Sequence, residues 1–168
     1  MNVQHRSTRS LQVPVHACEV PLVRRSVLDI LREWGVPDDD DAAQAVRVIV
    51  SELLTNVVLH ASATTAEALV VVELLDGSWI RLGVHDSHPA CPSPRGSDAD
   101  TPHGRGLWIV HALLEELSGV MVIERTGDGG KTIWAVLPRS AHEQIVTPGQ
   151  GGRTGLPLPE LQAEPSAA

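Results

Sequence analysis

Residues 68–86 read ALVVVELLDGSWIRLGVHD, two β-rich runs on either side of Asp76-Gly77. An Asp-Gly dipeptide between such runs signals a tight hairpin. A hairpin commits the chain to antiparallel pairing, which rules out an all-parallel sheet. The runs VMVIER and KTIWAVL, separated by TGDGG, repeat the signal over 120–137. LQVPV at 11–15 alternates apolar and polar residues and reads as a short strand, with Pro14 marking a sheet edge.

Helical spacing fills the rest. Val23, Val27, Ile30, Leu31 and Trp34 recur on one face of a helix over 19–34, stopped by Gly35 and Pro37. The acidic run 38–41 then opens a second helix that extends to about residue 61, its carboxylates complementing the positive helix end. A third helix is expected over 104–118. The order β-α-α-β-β-loop-α-β-β predicts an α+β two-layer sandwich, with a mainly antiparallel sheet and helices on one face. Apolar residues make up 42% of the chain, and with no Phe or Tyr the core must be built from Leu, Val, Ile and Trp.

One domain is expected over 11–138. Residues 1–10 read as a disordered N-terminus, and 139–168, rich in Gly, Pro and Ala, as a disordered C-terminal tail. The segment 87–103, SHPACPSPRGSDADTPH, is long and turn-rich, in the manner of a lid or binding loop.

Formal net charge is -8 and no long basic run occurs, which argues against nucleic acid as a partner. No apolar run reaches membrane-spanning length, and MNVQHRSTRS lacks the apolar stretch of a signal peptide. Two cysteines, Cys18 and Cys91, make no disulfide framework and fit a reduced cytoplasm. His85, His88 and Cys91 are spaced by three with His103 beyond, but no C-x-x-C or H-x-x-x-H pair supports zinc.

Four stretches carry candidate chemistry. In SELLTNVVLH, Glu52, Asn56 and His60 recur at intervals of four, on one flank of the seam formed by Val46, Ile49, Val50, Leu53 and Val57. A carboxylate and an amide one turn apart are oxygen donors suited to Mg²⁺, which keeps several waters and binds substrate phosphates. Taken singly, such a pair is more often two border residues with local hydrogen bonds, and His60 a helix-end residue. Asp86 ends an otherwise apolar strand beside the long loop, where it can accept from an exocyclic amine such as adenine's or simply cap a turn. In HGRGLWIV, Gly104 and Gly106 precede an apolar helix whose free N–H groups favour phosphate, with Arg105 between them. In GGKTIWAVL, Thr132 starts the last strand and can place a hydroxyl near the base of a pocket.

In this order the four stretches resemble the GHKL ATPases, the superfamily of histidine kinases and gyrase B. Within it SELLTNVVLHA, GRGLWIVHAL and GGKTIWAVL look most like the anti-sigma-factor serine/threonine kinases, small bacterial ATP-binding regulatory proteins. The resemblance covers roughly residues 11–138. It implies the Bergerat ATP-binding fold, with ATP held between helices and sheet under a lid. Carried over, Asn56 is the Mg²⁺ ligand and Glu52 the general base toward a serine or threonine hydroxyl. Asp86 holds the adenine amino group with Thr132 in support. Gly104, Arg105, Gly106 and Leu107 form the phosphate-binding turn. The implied partners are a sigma factor or its antagonist (an anti-anti-sigma protein) and a second copy in a homodimer, in the cytoplasm, with neither nucleic acid nor membrane. The sequence departs from many relatives where DSHPACP replaces a glycine-bearing D-x-G-x-G. Two other readings use the same motifs: an ATP-dependent partner-binding switch without catalysis, and a stand-alone histidine-kinase-like ATPase domain.

Overall fold

The computed structural model describes residues 5–91 and 105–139. Five strands form one fully antiparallel sheet in the order β1-β2-β3-β5-β4: β1 (Arg6–Pro14), β2 (Glu67–Leu75), β3 (Trp79–Asp86), β4 (Val120–Arg125) and β5 (Lys131–Pro138). Three helices accompany it: α1 (Glu19–Glu33), α2 (Asp41–His60) and α3 (Gly106–Glu116). The architecture is the α/β sandwich expected for the Bergerat fold.

The 68–86 hairpin forms as its dipeptide predicts. Asp76 and Gly77 both take positive φ, 48° and 67°, the geometry whose twist matches that of the flanking strands. The first strand begins earlier than its alternation suggests. β1 starts at Arg6 and pairs with β2 from Arg6↔Leu75 to Pro14↔Glu67. Its outer half is polar because it is an exposed edge strand, held by backbone pairing and by the Arg6–Glu73 ion pair, so residues 6–10 of the stretch read as a disordered N-terminus are sheet.

α1 buries Val23, Val27, Ile30 and Leu31 and ends in a Schellman turn. The Val36 N–H donates to Leu31 O at 2.9 Å and the Gly35 N–H to Arg32 O at 3.0 Å, with Gly35 at φ 75°. α2 is capped by Asp40, whose Oδ1 accepts from the Ala42 N–H at 2.9 Å.

α2 is the spine of the molecule and packs against α1, α3, β3 and β5. It is also long and apolar enough to cross a membrane, with mean hydropathy 1.4 over its most apolar window, contrary to the expectation from sequence. Half of that window is buried inside the fold, and Val46, Ile49, Val50, Leu53 and Val57 all pack in the core.

Strand alternation sets the two sheet faces. Ala68, Val70, Val72 and Leu74 of β2, Ile80, Leu82 and Val84 of β3, and Ile133, Ala135 and Leu137 of β5 face the helices and join the core. The opposite face has no second layer among the described residues. Trp134 lies there over Gly83, the Arg81 guanidinium stacks 3.7 Å from the Trp134 ring centroid, and Arg81 and Arg6 both pair with buried Glu73.

Candidate nucleotide site

Glu52 and Asn56 occupy the flank of α2 that meets the start of α3. A β-carbon built on Gly106 would stand 2.6 Å from Glu52 Oε2, 3.5 Å from Asn56 Oδ1 and 3.7 Å from Asn56 Nδ2. Glycine at 106 leaves this space to the Glu52 carboxylate, which a side chain there would push aside. α3 begins without a side-chain cap and has no acidic residue in its first turn. No described residue caps this end by a side chain, and its N–H groups and positive dipole end stand beside a carboxylate and an amide.

Asn56 Nδ2 is buried and has no hydrogen-bond partner among the described residues. An unpaired buried amide costs about 1–3 kcal/mol. A rotation about its last bond exchanges the nitrogen and oxygen positions. An amide left unpaired beside a carboxylate and free helix N–H groups is a donor set that fits a hydrated divalent cation with phosphate. His60, third in the row, is exposed at the last residue of α2.

Asp86 ends β3 on the helix-facing side and is 4% exposed. Its Oδ1 accepts twice, from the Lys131 ammonium at 2.7 Å and from the His88 N–H at 2.8 Å. Lys131 also donates to His88 O at 3.0 Å. The adjoining Ser87 N–H donates to Thr65 Oγ1 at 3.0 Å, which ties Asp86 to the segment leaving α2. Asn56 and Asp86 therefore share one end of the sandwich.

The structure separates one expected residue from this group. Thr132 pairs with His85, one register position from Asp86↔Lys131. Alternation turns Thr132 to the sheet face away from the helices, and Lys131 takes the place beside Asp86 that was expected for it. The signal for Lys131 was present in the sequence. Counting back by twos from the apolar Leu137, Ala135 and Ile133 puts residue 131 on the core face. Thr65, buried at 2%, carried no signal, since its role depends on where a distant loop passes.

Arg105 is exposed at the cap position of α3, and Leu107 is half-buried against the core. Gly104 and residues 92–103 of the proposed lid lie outside the described residues. His85 does not meet His88 in a ligand cluster. It sits on the outer face, with Nε2 3.1 Å from Thr126 Oγ1 and 3.3 Å from Asp128 Oδ2.

Among solved structures, the histidine kinase domain from the Erythrobacter litoralis EL346 blue-light activated histidine kinase is similar. It is 20% identical, and the match covers 74% of this chain and 61% of that one at a TM-score of 0.48. No curated protein matches the sequence. Residues 13–137, which take in all five strands and three helices in whole or part, match the histidine kinase-like ATPase domain. The chain belongs to the histidine kinase-like ATPase domain family.

Proposed function

We propose that this domain binds Mg²⁺–ATP between α2, α3 and the end of β3, and transfers the terminal phosphate to a serine or threonine of a small regulatory protein. The observation that carries the reading is the closeness of Glu52 and Asn56 to Gly106, which sets a carboxylate and an amide against a helix start that no described side chain caps.

In this reading the backbone at Gly106 and the Arg105 guanidinium hold phosphate oxygens. Asn56 supplies the protein's oxygen to the cation, whose bound charge would neutralise the triphosphate. Glu52 accepts the proton of the attacking hydroxyl. Asp86 accepts from the adenine amino group at the opposite end of the nucleotide. The anti-sigma branch, a sigma factor or antagonist as the partner, a homodimer and a cytoplasmic setting belong to this proposal and rest on the resemblance of motifs. A partner-binding switch that holds ATP without transfer, and a stand-alone ATPase domain, use the same pocket.

One variant, set beside the wild type, tests it. Glu52→Gln keeps shape and hydrogen bonding but cannot take a proton. It is expected to bind Mg²⁺–ATP within about twofold of wild type and to lose transfer by about a hundredfold or more, the usual worth of a general base. The assay is radiolabelled ATP with a partner recovered from native cells by ATP-dependent pull-down. Transfer undiminished in Glu52→Gln would remove Glu52 from the chemistry. Tight ATP binding with no transfer by the wild type would favour the switch.

A further inference from the structure

The geometry points to Lys131 as the residue that positions Asp86 for base recognition. This rests on the reading of Asp86 as the adenine acceptor and deepens it.

A carboxylate has two oxygens, and the structure treats them differently. Oδ1 of Asp86 accepts from both the Lys131 ammonium and the His88 N–H, while no described residue donates to Oδ2. Lys131 closes the ring by donating to His88 O. Three bonds among three residues fix the rotation of the Asp86 side chain and anchor the chain as it leaves β3. One oxygen is used up in the fold, and among the described residues the other is left without a donor.

The pair is buried, with Lys131 5% and Asp86 4% exposed. Buried ion pairs are seldom worth more than the apolar residues that could replace them. The inward positions further along both strands are filled by Val84, Ile133 and other core residues, so an apolar pair would continue the pattern. A charged pair that adds little stability, at the edge of the candidate base pocket, is explained by what it orients.

The choice of cation agrees. Lys131 is the only lysine beside twelve arginines. An arginine fork tends to take both oxygens of a carboxylate, whereas an ammonium acts as a point donor. Lysine can bind Oδ1 and leave Oδ2 for a ligand. Adenine offers its 6-amino group to such an acceptor; guanine presents a keto oxygen there, which a carboxylate repels. Lys131 is thus a positioning residue for purine discrimination, acting through Asp86.

The test is calorimetric titration of the full chain with ATP, GTP and inorganic tripolyphosphate in Mg²⁺, for wild type and Lys131→Met. Methionine keeps the length and removes the donor. The expected result is an ATP-over-GTP preference that falls about tenfold, the worth of one hydrogen bond, with tripolyphosphate affinity unchanged. An unchanged preference, or a parallel loss for all three ligands, would overturn the proposal. Wild type that binds no nucleotide would instead overturn the pocket. Wild type that binds ATP and GTP alike would overturn the role of Asp86.

Should Lys131→Met not fold, the wild type still answers. Protein grown with ¹³Cε-lysine gives one side-chain signal, because there is one lysine. Adenosine is expected to shift it and tripolyphosphate to leave it in place. A signal indifferent to saturating adenosine would place Lys131 outside the base site.

Discussion

Glu52 and Gly106 meet across the α2–α3 seam so closely that a β-carbon on Gly106 would stand 2.6 Å from Glu52 Oε2. Gly106 has no positive φ, so alanine fits its backbone, and the atom it would displace is the end of a movable side chain. Gly106→Ala should therefore fold with a melting temperature within a few degrees of wild type. It should push Glu52 off its position, and a misplacement of about 1 Å can cost about a hundredfold in rate. ATP affinity should fall far less. Thermal melts beside turnover assays check this, and turnover equal to wild type would show that the position of Glu52 is not critical.

Asn56 makes an opposite prediction for stability and binding. Its Nδ2 is buried without a partner among the described residues. Alanine removes that unpaired group and is a better helix former by about half a kcal/mol. Asn56→Ala should leave the ligand-free melting temperature equal or slightly higher, and should abolish the increase that Mg²⁺–ATP gives the wild type. A clear loss of ligand-free stability would mean that Asn56 is satisfied in the fold and is not held for a ligand.

These positions also show how far the sequence could be read. The hairpin at Asp76-Gly77, the stop of α1 at Gly35, the acidic start of α2 and the antiparallel sheet follow from local chemistry, so they were legible. The 52–56–106 contact was partly legible. Helical spacing placed Glu52 and Asn56 on one flank, but nothing local says that α3 begins against that flank. Thr132 was misplaced by one position because the motif outweighed the alternation that turns Lys131 inward and Thr132 outward. The start of β1 at Arg6 was hidden because an exposed edge strand needs no apolar pattern. The span-like hydropathy of α2 comes from serving as the buried centre of the helix layer.

Gly83 supplies a control on the far face. A β-carbon there would lie 2.3 Å from the Trp134 ring, which carries the Arg81 stack and donates from Nε1 to Glu124 at 2.9 Å. Gly83→Ala must tilt the ring and loosen the cover over Glu73. Overpacking of this kind costs about 1–3 kcal/mol. Denaturant midpoints should fall accordingly, while ATP affinity of the folded fraction should stay within about twofold, because this face is opposite the site. Affinity lost together with stability would indicate coupling through the sheet.

Asp128 gives the fold a dependence on acid. It lies in the turn between β4 and β5, and its pKa is lowered from the ordinary 3.8, first by the hydrogen bond from Thr126 Oγ1, then by that from the Gly130 N–H, with a smaller contribution from His85. A lowered carboxylate pKa stabilises the folded state above the unfolded value and ceases to do so as pH falls through the folded value. The contribution should be complete above about pH 4 and fade below 3.8. Asp128 is exposed, so the effect on global stability is small. It is best read as a side-chain carboxyl chemical shift titrating below 3.8, with Asp128→Asn showing a flatter acid limb in denaturation midpoints. A titration at or above that value would remove the turn's hydrogen bonds from the account. The local consequence reaches the site. Two residues on, Gly130 packs so tightly on the Asp86 backbone that a β-carbon would stand 2.3 Å from Asp86 O. Loosening the Asp128 turn in acid should therefore broaden the Lys131 and Asp86 amide signals before the sheet as a whole unfolds.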